Sequence, residues 1–85
     1  MTPRFAPGVR LHHDRARDRW VVMAPERMFV PDDTALEVLR LVDGARDDTA
    51  IVDALAAKFA APREVIAQDV RAMLDDLAGR GALLC

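Results

Sequence analysis

An 85-residue chain has room for one domain with a thin core, since at this size only about 60–65% of the unfolded surface is buried on folding. It is 52% hydrophobic and 31% charged with a net charge of −2, an ordinary globular makeup that lacks the strongly basic balance of a nucleic-acid binder. No apolar stretch approaches the ~20 residues that span a membrane, there is no signal-like apolar start, and the lone Cys85 forms no internal disulfide; a cytoplasmic protein is expected.

Residues 1–8 hold two prolines and a glycine and read as an irregular arm. From Val9 to His13, apolar and polar residues alternate, which puts Val9, Leu11 and His13 on one face of a strand. Asp14–Asp18 has no apolar period and is read as a hairpin loop. Trp20–Met23 is the second strand, apolar on both faces, so it needs cover on each side or an interface. Pro25 has no N–H for a ladder and must end or bend that strand. Met28–Val30 makes a third strand, with Met28 and Val30 on one face and Phe29 on the other, closed by Pro31. Prolines at both ends mark it as an edge, with unpaired backbone groups along its outer side.

Three helices follow. The first begins at Asp32 or Asp33 as N-cap, with Thr34 and Glu37 as a capping-box alternative. Ala35, Val38, Leu39 and Val42 form its apolar stripe, and Gly44 is read as its left-handed C-terminal turn. The second runs from about Thr49 to Phe59 with Ile51, Val52, Leu55 and Phe59 inward. The third starts at Pro62 with Glu64 in its first turn, carries Ile66, Val70, Met73, Leu74 and Leu77 on one face, and ends at Gly79 or Gly81. Leu83 and Leu84 are expected to pack back on the core. This order implies one α+β domain over 1–85, winged-helix-like. The arm 1–8 leads into a three-stranded antiparallel sheet over 9–31, then a three-helix bundle and C-terminal tail over 32–85.

Catalytic and metal chemistry find little to work with. His12 and His13 point to opposite strand faces and have no companion ligand, so a half-buried His13 and a solvent-facing His12 are expected. There is no serine, the threonines stand at 2, 34 and 49, and Cys85 is terminal. The pairs Asp32-Asp33, Asp47-Asp48 and Asp75-Asp76 are explained by helix caps and solvated faces. No glycine-rich phosphate loop occurs, and neither a cofactor nor a metal is expected.

Two binding classes remain. A helix-turn-helix could be built from the second and third helices around Ala60-Ala61-Pro62, with the hairpin as wing, giving a winged-helix DNA-binding regulator. Charge speaks against it: Arg63 and Arg71 face Glu64, Asp69, Asp75 and Asp76 on the would-be recognition helix. Arg10, Arg15, Arg17 and Arg19 in the hairpin are interleaved with Asp14 and Asp18. The other class is peptide capture, in which an exposed edge at Arg27–Val30 accepts a ligand as an extra strand beside an amphipathic helix. The bland alternative is that Met28, Phe29 and Val30 are a small core's share of apolar residues.

The residues also carry a resemblance. Pro7-Gly8-Val9-Arg10-Leu11, Asp14, Val21 through Arg27 with its Ala-Pro-Glu-Arg run, Asp43-Gly44, and Asp69-Val70 with Leu74 and Leu77 are similar to the PqqD family of pyrroloquinoline quinone (PQQ) biosynthesis, in order along nearly the whole chain. The resemblance implies a non-catalytic peptide chaperone, the stand-alone form of the peptide-recognition element used in pathways for ribosomally made, modified peptides. It implies binding of the precursor peptide PqqA and its presentation to PqqE, the radical S-adenosylmethionine enzyme that cross-links a Glu and a Tyr in PqqA. It further implies a groove with Arg27, Met28, Phe29 and Val30 on one wall and Val65, Asp69, Ala72, Met73 and Asp76 on the other, of which Asp69 matches the family motif. Met23 and Met73 stand where the family often has leucine and phenylalanine. An edge that waits for a peptide can also accept another copy, so a homodimer through the sheet edge, or by exchange of residues 1–23 about Ala24-Pro25-Glu26, is a further expectation.

Overall fold

The structure, a computed structural model, describes residues 1–85. Its elements in chain order are β1 (Arg4–Phe5), β2 (Arg10–Asp14), β3 (Arg19–Ala24), β4 (Arg27–Phe29), α1 (Asp33–Leu39), α2 (Asp48–Lys58), α3 (Arg63–Gly79) and β5 (Leu83–Leu84). The fold is α+β, with antiparallel strands and three helices.

β2, β3 and β4 form a meander in that spatial order, so β3 is central and β4 is paired on one side only. The hairpin between β2 and β3 is set by Asp14, whose Oδ1 accepts from the backbone N–H groups of Ala16 and Arg17 at 3.1 and 3.4 Å, while Asp18 takes a positive φ of 48°. Register puts Leu11 opposite Val22 and Val22 opposite Phe29, and these three side chains share the face that meets the helices. Val21 points the other way, yet it too is buried. Met23 and Met28 pair beside it on that outer face.

The helix starts follow the acidic caps. Asp32 accepts from Ala35 N and Asp47 from Ala50 N, each at 2.8 Å, satisfying backbone donors that a first turn leaves free. α1 is short: it ends at Leu39 with a right-handed cap at Arg40. Gly44 is therefore not its C-terminal turn. Its positive φ belongs to a separate loop, where Asp43 Oδ1 accepts from Ala45 N and Arg46 N at 2.9 and 2.8 Å. α3 ends in a Schellman motif, with Ala82 N donating to Leu77 O and Gly81 N to Ala78 O, and Gly81 supplying the left-handed residue at φ 78°.

That turn sends the chain back along the helix bundle. Leu83 is buried, Leu84 is half-exposed, and the two pair with β1 as Phe5↔Leu83 and Arg4↔Leu84. The expectation of an irregular arm over 1–8 is corrected here: Arg4–Phe5 is a strand, Pro3 is fully buried, and Ala6 N donates to Ala82 O at 3.0 Å. The core collects Val22 from the sheet, Val38, Leu39 and Val42 from α1 and its following turn, Ile51, Val52 and Leu55 from α2, and Ile66, Val70, Leu74 and Leu77 from α3. Phe59 is a second correction. It leaves α2 as an extended C-cap (φ −112°, ψ 141°), so the helical period that pointed it inward no longer applies, and it is 45% exposed.

Candidate functional site

A groove of about 490 Å³ opens between the end of β4, the start of α1 and the C-terminal part of α3 from Asp69 onward. Phe29, Val30 and Pro31 form its first wall; Asp32, Thr34 and Ala35 come from the entry into α1; Asp69, Ala72, Met73, Asp76 and Leu77 come from α3 and Arg80 from its C-cap. The α3 residues recur at i, i+3, i+4, i+7, i+8 and i+11, one continuous helical face next to the buried one.

Of the nine residues expected to line such a groove, six do: Phe29, Val30, Asp69, Ala72, Met73 and Asp76. Three stand elsewhere. Met28 lies on the outer sheet face opposite Met23, because side chains alternate along a strand, and it is 54% exposed. Val65 shares the groove's helical face but sits in the first turn of α3, exposed and one turn before Asp69, short of where the groove begins. Arg27 instead donates through its guanidinium to the backbone carbonyl of Arg80, clipping the start of β4 to the C-terminal end of α3. Pro31, Asp32, Thr34, Ala35, Leu77 and Arg80 were missed. Leu77 and Arg80 merely continue the α3 spacing, whereas the α1 contribution depends on how that helix is angled against α3.

The groove's charges are unevenly spent. Asp76 pairs with Arg80 Nε at 3.1 Å, and the Arg80 guanidinium also lies 5.7 Å from the centre of the Phe29 ring. Asp32 is used as a helix cap. Asp69, exposed near the middle of α3, has no ion-pair or side-chain hydrogen-bond partner.

The carboxyls held below the ordinary range lie elsewhere. Desolvation pushes Asp14 up, but the Arg17 N–H, the Arg17 guanidinium and the Ala16 N–H outweigh it. At Asp43 the N–H groups of Arg46 and Ala45 dominate. At Asp48 desolvation is again the largest influence, overcome by the amino terminus, the Thr49 N–H and Arg71. All three shape turns or helix starts.

Of the two histidines only His13 has partners. His13 stacks against Trp20 with ring centres 4.9 Å apart and lies 3.2 Å from Asp18 Oδ1, while His12 is exposed on the opposite face. No group of three His, Cys, Asp or Glu side chains gathers at metal-binding distance.

Comparison with known proteins bears on this geometry. The family described as Coenzyme PQQ synthesis protein D (PqqD) matches residues 19–83, from the first residue of β3 into β5. The chain belongs to the PqqD family. It is 56% identical over 81 residues to the PqqA binding protein of Rhodopseudomonas palustris, covering 95% of this chain and 76% of that one. It is similar to the solution structure of the PqqD truncation of Methylobacterium extorquens PqqCD, described as a functional and stand-alone recognition element for ribosomally synthesised, modified peptides. That match has a TM-score of 0.79 and 40% identity, and covers 98% of this chain and 88% of that one. TbiB1, solved in complex with the TbiA(beta) leader peptide, shares the fold at a TM-score of 0.81 and 23% identity, with 94% and 93% of the chains covered. The PqqD truncation shares this α+β fold; the winged-helix likeness remains an expectation from element order.

Proposed function

We propose that this chain is a non-catalytic carrier of PqqA in pyrroloquinoline quinone biosynthesis. PqqA adds a strand along the open side of β4 and lays alternate side chains into the groove against α3, and the complex then presents the peptide to PqqE. The observation that carries this reading is the one-sided pairing of β4 beside that groove. Free N–H and C=O groups supply sequence-tolerant affinity, and the side-chain wall of α3 supplies selection. Holding PqqA on a carrier that also docks PqqE raises the peptide's effective concentration at the enzyme. The relatives named for PqqA binding support the ligand, and their family supports the pathway.

The test is a titration of PqqA into isotopically labelled protein, followed by backbone amide shifts. The largest changes are expected over residues 27–31 and 69–80. Changes confined to the β2–β3 hairpin or to α2 would remove the groove from the mechanism. Adding PqqE to the complex should broaden a further set of amides; no response to PqqE would limit the role to binding PqqA.

A further inference from the structure

A second hollow of about 400 Å³ lies where α1, α2 and α3 meet, and it joins the β4 groove at Thr34, Asp69 and Met73. Val38, Leu55, Ile66 and Val70 line it with core side chains. Phe59 stands at its edge, 45% exposed in a protein with three phenylalanines and one tryptophan. The ring does not hang free. Lys58 Nζ lies 5.5 Å from its centre, and Lys58 is itself fixed by Glu37 through bonds of 2.9 and 2.8 Å.

Electrostatics indicates what enters. Lys58 is spent on Glu37, while Asp33 and Asp69 at the mouth have no ion-pair partner. The junction of the two hollows is therefore anionic over an apolar floor. We propose that this second hollow is a recognition subsite for the same peptide that pairs with β4, taking an apolar side chain next to a lysine or arginine that lies over Asp69. The proposal rests on the peptide-carrier reading above and extends it: the peptide does not end at the strand but turns past Thr34 to be anchored again. Complementarity of charge selects a cationic neighbour, and the Phe59 ring gives the apolar side chain a face to stack on.

Synthetic PqqA is titrated against the intact protein and against Phe59→Ala, Ala61→Lys and Asp69→Asn, with affinity measured by calorimetry at low and high salt and amide shifts recorded. Phe59→Ala and Ala61→Lys should each weaken binding about tenfold while the shifts at 27–31 persist. Ala61 is an exposed loop residue, so that variant keeps the test decisive if Phe59→Ala loosens α2. Asp69→Asn should flatten the salt dependence. Replacing the matching apolar residue of PqqA by alanine should cancel the Phe59→Ala effect.

If PqqA binds and shifts 27–31 while both pocket variants stay within twofold and residues 55–61 are silent, the subsite is wrong and the carrier reading stands. If PqqA does not bind the unaltered protein, both fall. A concentration-dependent dimer abolished by Phe59→Ala would give the hollow to a second copy and overturn the subsite.

Discussion

Ala72 sits on the groove face of α3 with nothing but a methyl group to offer, and it is exposed. A long cation there would occupy the space a ligand side chain needs while leaving the core untouched. Ala72→Arg is expected to weaken PqqA binding roughly tenfold or more, about 1.4 kcal/mol, with a melting temperature close to that of the unaltered protein. Calorimetry beside a thermal melt separates the two effects, and a large drop in melting temperature would mean that Ala72 is structural. Gly8 makes the opposite kind of contribution. Its φ is 76°, and a Cβ there would lie 2.9 Å from Cγ of Pro25, at the corner between β3 and β4. Gly8→Ala therefore combines backbone strain with a clash and should cost about 1–3 kcal/mol, lowering the melting temperature by roughly 4–8 °C per kcal/mol. Gly79→Ala is the control: nothing lies within 4 Å of the added carbon, so that change should be neutral or stabilising by a few tenths of a kcal/mol.

At the level of elements, α3 does two jobs on adjacent faces. Ile66, Val70, Leu74 and Leu77 hold the core, and Asp69, Ala72, Met73, Asp76 and Arg80 line the groove, with Leu77 shared between them. The core face was legible because apolar residues recur at helical spacing. The groove face was legible only in part, because an exposed stripe of mixed chemistry has no signal of its own and was located through the family resemblance. Strands β2 to β4 were readable from alternation and from Pro25 and Pro31. β1 and β5 were not, since two-residue strands carry no period and are defined by a partner nearly 80 positions away. Phe59 misled for a related reason. Its spacing is helical, but the helix stops one residue earlier, at Lys58, and a residue with extended dihedrals leaves the face that its number predicts. Strand alternation separates Met28 from Phe29 as read, but Val30, read on Met28's face, lines the groove with Phe29 because β4 ends at Phe29 and the alternation ends with it.

For the whole molecule, acid is the revealing stress. Asp14, Asp43 and Asp48 titrate below their ordinary range when folded, so the unfolded chain takes up protons first as the pH falls. Their stabilisation is fully present above the unfolded carboxyl value of about 4 and is lost as the pH drops through the lower folded values. Melting temperature should stay level from neutral pH to about 5 and then decline, more gently in high salt because these groups are near the surface. Asp48→Asn should blunt the decline, and an unchanged acid limb in that variant would assign the effect to other groups. The paired ends of the chain have a different consequence. β1 and β5 run antiparallel with Arg4 opposite Leu84, so the two termini leave the fold side by side. A molecule with adjacent ends can be rewired: a short linker joining residue 85 to residue 1, with a new opening cut in the exposed Arg15–Asp18 turn, should give a circular permutant with the same amide fingerprint and an intact groove. By the same geometry any chain joined at both ends of this fold enters and leaves through one ribbon, with the open side of β4 left unpaired.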